Sequence, residues 1–432
     1  MSEAAAAWYR GRWPVRLLLA FLALYLAQNA VTSMFLKVTD FEWHLDHARR
    51  FLSERPYDPG FVTYLPARFL LDALYLPLGD AARPLGYLLA LGLLAWTLRL
   101  WDGLLERQLA LDDGTRRVAL LWALVILSDY LSRDLNDCGP GAILLLCFTL
   151  ALRAQLEGRA LRCGFWLALA FAWKATPLLF LPYLLLKRAW APAGWFMLFA
   201  LLWLLLPGLL IGWDALIGVY RDWLEGLLRI ARSADLSLLG FEPPRHQNQS
   251  LRALFARYLQ GFATDHPIHR DYDLSQHPLF VQFLALPPPW PARLYQGAVV
   301  ALGLFFAWLF RRPWTATPPQ RRLAEWSALP VLAALLSPLA WLHHFAVALP
   351  ALWLSLAILA QRRQGLGAQL AVGCIALVAF VLQRDLLQRD LSVVELSYKL
   401  DAMAMLLLVG LVLRQADRWL PGALADQGGR AR

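Results

Sequence analysis

Apolar residues dominate this chain in long runs, broken by short clusters of arginine. Runs able to cross a bilayer, at about 1.5 Å per helical residue, cover approximately 15–36, 84–105, 117–132, 139–155, 161–173, 176–186, 190–212, 293–310, 323–339, 343–360, 366–383 and 396–414. The pattern predicts an all-α polytopic membrane protein of about 12 transmembrane helices. The fifth and sixth runs fall short of an ordinary span of roughly 17–25 residues, so a tilted, broken or re-entrant pair is expected there. The first run follows Arg10, Arg12 and Arg16 and precedes no A-x-A cleavage site, so it reads as an uncleaved helix and not a signal peptide.

Between the runs lie Arg107/Arg116/Arg117, Arg153/Arg159/Arg162, Lys187/Arg188, Arg311/Arg312/Arg321/Arg322, Arg362/Arg363 and Arg414/Arg418. In a twelve-helix plan all of them fall on the side of the N-terminus, which the positive-inside rule assigns to the cytoplasm. Both termini are then cytoplasmic, and the long excursions 37–83 and 213–292 lie outside. All eight histidines, His44, His47, His246, His266, His269, His277, His343 and His344, land on that outer side. Histidine avoids apolar spans and these loops are the longest, which explains the bias equally well as chemistry gathered there. No repeat of fixed period divides 1–432, so a single membrane domain is expected, with interfacial helices in the first outer loop.

Composition agrees: 59% of residues are hydrophobic and 17% charged, with mean hydropathy +0.47, too apolar for an ordinary soluble domain. The net charge of +10 reads as membrane orientation, not as a nucleic-acid surface. Cys138, Cys147, Cys163 and Cys374 show no metal or redox spacing and read as packing residues.

Four stretches carry candidate chemistry. Thr39 to Leu52 forms, as a helix, an apolar face of Phe41, Leu45, Ala48 and Leu52, with Asp40, His44 and His47 on another. Such a helix would lie in the interface, dip its apolar face into lipid and hold its carboxylate and imidazoles beside the headgroups; the plainer reading is a connector whose Asp46 and Arg50 pair along the helix. Lys174, in Trp173-Lys174-Ala175-Thr176-Pro177, interrupts continuous hydrophobicity just before a helix-breaking proline. It either faces a polar cavity, suited to a phosphate, or snorkels to the surface. His246-Gln247-Asn248-Gln249-Ser250-Leu251-Arg252 offers sugar- and phosphate-binding donors and also a helix start with Asn248 or Ser250 as N-cap. Ser337-Pro338 leads to His343-His344, of which at most one should face a given site if the segment is α-helical. The Asp40/His44/His47 stripe could in principle hold a metal; no metal or cofactor is assigned. P-loop, dinucleotide, G-x-S-x-G and H-E-x-x-H motifs are absent from the sequence, which favours an activated substrate already resident in the bilayer.

In this order and topology the stretches resemble the GT-C glycosyltransferases, and most closely family 87, which includes polyprenyl-phosphate-mannose-dependent mannosyltransferases. The resemblance rests on Asp40-Phe41 with Ala48, Leu52, Tyr57 and Pro59; on Tyr64, Pro66, Lys174 and Pro177; on Asn248-Gln249-Ser250-Leu251 with Arg257; and on Ser337-Pro338 with Trp341 and His343-His344. Ser53-Glu54-Arg55-Pro56 and Asn136-Asp137-Cys138-Gly139 depart from the family pattern. The resemblance implies inverting transfer of a sugar, best attested as mannose, from a polyprenyl-phosphate donor to the hydroxyl of a glycolipid or glycan acceptor at the outer face of the cell membrane. Asp40 would be the general base. Lys174, with Arg252 or Arg257, would hold the donor phosphate, while His44, Asn248, Gln249, His343 and His344 would contact substrate. A transporter or flippase of lipid-linked sugars is the rival class, but it would more often show inverted repeats and midplane charges.

Overall fold

The computed structural model describes residues 12–36, 39–53, 64–237, 246–262, 279, 281–287, 289–361, 365–383 and 389–418. Each apolar run is helical over most of its length, and a lone bridge between Gln260 and Leu286 is the only β pairing among the described residues. In chain order the first helices are α1 (Arg12–Val31), α2 (Asp40–Ser53), α3 (Pro66–Ala73), α4 (Ala82–Leu109), α5 (Asp113–Ile126), α6 (Ser128–Asn136), α7 (Pro140–Leu156) and α8 (Ala160–Trp173). Four helical stretches are long and apolar enough to cross a membrane: Leu76–Leu109, Trp190–Ile211, Trp290–Leu309 and Leu342–Gln361. The number rises to six if α6 with α7, bent by 107°, and Leu391–Ser397 with Leu400–Asp417, bent by 55°, each count as one span. The chain is a multi-pass membrane protein.

Two breaks in the bundle have clear local causes. At the α6–α7 bend, Cys138 (φ 57°) and Gly139 (φ 70°) both take left-handed backbone. A Cβ on Gly139 would come within 2.4 Å of the Ala90 Cβ, so the sharp turn against α4 requires glycine. The buried Asp134 carboxylate then accepts hydrogen bonds from the Gly141 (2.6 Å) and Ala142 (2.9 Å) amides, satisfying the first N–H groups of α7. The second break follows α8: Lys174 is extended (φ −154°, ψ 141°), and a 3₁₀ turn containing Pro177, Thr176–Leu179, leads into the short helix Phe180–Leu186. The broken pair expected from the two short apolar runs is therefore present.

α8 packs closely on Trp190–Leu205; a Cβ on Gly164 would lie 2.6 Å from the Phe196 backbone nitrogen. The main core runs through Trp326, Trp353, Tyr130 and Phe180, and Pro319–Leu336 is buried along nearly all its length. Two of the basic clusters meet: Lys187 and Arg321 share the buried Glu325 at 2.6 and 2.9 Å, and Arg321 also reaches Asp417 at 2.8 Å. α2 is oriented differently from expectation. Phe41 packs with Ala82 and Cys138, and Ala48 joins Phe51, Phe69, Ile211, Leu216 and Val219, so part of the face expected to meet lipid is buried in protein. His44 and His47 are buried with it, whereas Trp43 and Leu52 are exposed. Asp46 pairs with Arg49 at 3.8 Å, one residue short of the Arg50 partner expected.

Candidate active site

A cleft opens where the N-terminus of α7 and the C-terminus of α8 meet α2 and α3. Five of the residues singled out from sequence line it: Asp40, His44, Lys174, His343 and His344.

The start of α2 is held firmly. Glu42 accepts a hydrogen bond from the Thr39 amide at 2.8 Å, the reciprocal half of a capping box, and pairs with Arg83. The Thr39 hydroxyl donates to the Asn136 carbonyl at 3.2 Å. Ser33, at the start of the segment leaving α1, donates to the Asn136 side chain. These contacts set the first turn of α2, with Asp40 in it, beside the α6–α7 bend that carries Asp137. A carboxylate in the first turn is favoured in its ionised form by the helix dipole.

On α3, Arg68 makes a two-point contact with Asp72 at 2.9 and 2.7 Å, lies 4.0 Å over the Trp173 ring and reaches the Trp173 carbonyl at 3.5 Å. It thereby braces the residue before Lys174. Burial pushes the Asp72 carboxyl up, and the Arg68 charge opposes that shift. Burial also pushes the Tyr64 hydroxyl up to about 12, so it remains a donor at neutral pH.

The Lys174 ammonium has no hydrogen-bond or ion-pair partner among the described residues, although it lines the cleft. His44 is 6% exposed and stacks edge-on against Tyr64 at 4.8 Å. Its Nδ1 has no hydrogen-bond partner among the described residues. Burial, followed by the charges of Arg68, His47, His343 and Lys174, holds its pKa well below the usual imidazole value. The ring is neutral at pH 7.

Both adjacent histidines reach the cleft, contrary to the α-helical expectation. Leu342–Ala348 is a 3₁₀ turn, and the His344 ring folds back so that its Nδ1 accepts a hydrogen bond from the Trp341 amide at 3.0 Å. That bond leaves the His344 proton on Nε2. His343 turns its Nδ1 toward Asp137 at 3.5 Å, and the two rings stand 4.3 Å apart, edge to face.

The 248–257 stretch does not line the cleft. Asn248 donates to the Pro338 carbonyl at 3.0 Å and accepts from the Ala340 amide at 2.9 Å, while Gln249 donates to the Leu396 carbonyl at 2.9 Å. Ser250 caps Leu251–Leu259 by accepting from the Ala253 amide. These side chains bracket the segment leading to His343 and His344. Arg252 donates to the Asp235 carbonyl at 2.9 Å; Arg257 donates to the Val281 carbonyl at 2.8 Å and lies 4.6 Å over the Tyr398 ring. Tyr57, Pro59, His266, His269 and His277 lie outside the described residues.

The sequence model of glycosyltransferase family 87 matches residues 63–338. The chain belongs to glycosyltransferase family 87. It is accordingly a membrane glycosyltransferase, consistent with the GT-C superfamily. No curated protein and no solved structure matches it. The matched region of this family 87 enzyme holds Tyr64, Arg68, Asp137 and Lys174, whereas Asp40, His44, His343 and His344 flank it. Sequence reasoning gave Arg68 and Asp137 no part in the site. An arginine four residues before an aspartate reads as a surface pair, and Asp137 stood out only as a departure from the family pattern.

Proposed function

We propose that this enzyme transfers a sugar, most consistently mannose, from a polyprenyl-phosphate donor to the hydroxyl of a glycolipid or glycan acceptor, inverting the anomeric centre. In this reading twelve helices cross the cell membrane, both termini are cytoplasmic and the cleft opens at the outer face. The acceptor oxygen attacks the anomeric carbon, the bond from that carbon to the phosphate oxygen breaks, and the hydroxyl proton passes to Asp40. The polyprenyl phosphate leaves as an anion, needing no dedicated acid, and Lys174 stabilises its charge. Arg68 supports this by fixing the backbone ahead of Lys174. The Nε2–H of His344 and the His343–Asp137 pair orient substrate oxygens. Leu144, Phe148, Trp173 and Val347 supply apolar wall for the lipid. Arg252 and Arg257, tied to backbone carbonyls outside the cleft, have no direct part.

The observation carrying this reading is that one cleft holds a carboxylate at a helix start and an ammonium without an anion. The test is transfer by purified enzyme from polyprenyl-phosphate mannose to a membrane lipid extract, with product stereochemistry read by NMR. Asp40→Asn should lower kcat by about 10²–10⁴ with donor binding retained. Undiminished transfer by that variant removes Asp40 as base, and retention of configuration removes the single-displacement step.

A further inference from the structure

A second cavity, about 750 Å³, lies at the far end of the helix pair that forms the cleft. It is lined by Arg153 in the last turn of α7 and Glu157 at its C-cap, by Arg159, Arg162 and Phe165 around the start of α8, and by Trp96 of α4. The cleft touches α7 at Gly141 and α8 at Trp173. At 1.5 Å per residue, Gly141 to Glu157 spans roughly 24 Å, so the mouths of the two cavities lie at opposite ends of α7, with the cleft reaching down to Phe148 and the second cavity up to Leu150. Two of the three guanidiniums here share one carboxylate: Glu157 pairs with Arg153 at 2.8 Å and Arg159 at 3.1 Å. Arg162 has no hydrogen-bond or ion-pair partner among the described residues. Trp96 (50% exposed) and Leu161 (48% exposed) extend the same cavity as apolar wall.

The geometry points to a site for one anionic phospholipid of the leaflet opposite the cleft, its phosphodiester held at Arg159 and Arg162 and its acyl chain laid along Trp96, Leu161 and Phe165. Guanidinium forks match phosphate oxygens in pairs, and the surplus positive charge selects a headgroup with net negative charge. A soluble phosphate would use the arginines and leave the aromatic wall without purpose. Interfacial arginine and aromatic residues are common on membrane proteins, so the discriminating feature is one carboxylate outnumbered by three guanidiniums in a single groove walled by Trp96, Leu161 and Phe165.

Native mass spectrometry of the full-length enzyme in detergent tests this with three probes: phosphatidylglycerol, phosphatidylcholine and inorganic phosphate. Phosphatidylglycerol adducts should predominate, and Arg159→Gln with Arg162→Gln should weaken them roughly 30-fold. Arg117→Gln, at an exposed arginine outside the groove, should leave them intact. Equal adducts of phosphatidylcholine, binding of inorganic phosphate as tight as that of lipid, or an equal loss in Arg117→Gln would each overturn the assignment.

Discussion

Lys174→Met separates a phosphate-binding lysine from a structural one, because the two roles move activity and stability in opposite patterns. The ammonium lines the cleft with no anion bonded to it among the described residues. Its amide donates to the Ala170 carbonyl at 3.0 Å, a bond methionine retains. Removing the charge therefore breaks no protein contact and relieves the desolvation of an uncompensated cation. Apparent Tm in detergent should stay level or rise. Lys187 provides the contrast: it is fully buried and bonded to Glu325 at 2.6 Å, so Lys187→Met removes one of the two cations on a buried carboxylate, leaving Arg321 at 2.9 Å, and should cost about 1.5–3 kcal/mol. For activity the order reverses. A charge-assisted hydrogen bond contributes about 1.5–3 kcal/mol, so Lys174→Met should lower kcat/KM for the polyprenyl-phosphate donor roughly 10- to 150-fold. Both variants are read by thermal unfolding and by transfer kinetics in the same detergent. A Tm loss in Lys174→Met comparable with that of Lys187→Met, or an unchanged kcat/KM, refutes the reasoning.

Three further outcomes follow from the cleft and its supports. Unfolded His44 takes up a proton near pH 6.5 whereas the folded residue resists it, so stability present above that pH should fall as pH drops below it, by at most about 1.4 kcal/mol per unit; His44→Gln should flatten this limb of a stability–pH curve, and an unchanged slope would exclude His44 as its source. Gly139→Ala forces a left-handed alanine into Ala90 and should destabilise by about 2–4 kcal/mol, lowering apparent Tm and, through displacement of Asp137, transfer; a wild-type Tm would show that the bend tolerates a side chain. Asp72→Asn removes the charge partner of buried Arg68 and should cost about 3–5 kcal/mol, whereas wild-type Tm and kcat/KM together would deny the Arg68–Asp72 pair its bracing role.

Much of the cleft was legible because its residues break local rules. Asp40 sits at the exit of an apolar run, and Lys174 beside Pro177 interrupts another; both violations are visible without neighbours. The Asn248-Gln249-Ser250 stretch shows the limit of such reading. Amides that suit a sugar suit a carbonyl equally well, and only the chain pairing decides that they hold Pro338 and Ala340. The paired histidines both reach the cleft because the first ring turns toward Asp137 and the second folds back onto the Trp341 amide; the turn itself spreads adjacent side chains by about 120°, so only side-chain contacts bring them together.

The sequence by itself determined that the chain is helical and membrane-embedded, that its helices break beside Lys174, and that a carboxylate follows the first apolar run. Tertiary structure alone decided that Arg68, Tyr64 and Asp137 join them, that 248–257 does not, and that α2 turns Phe41 and Ala48 into the protein. The reason is physical. In a bilayer, lipid and protein accept an apolar face almost equally, so periodicity marks a face without naming its neighbour, and the neighbour is settled by packing between segments far apart in the chain.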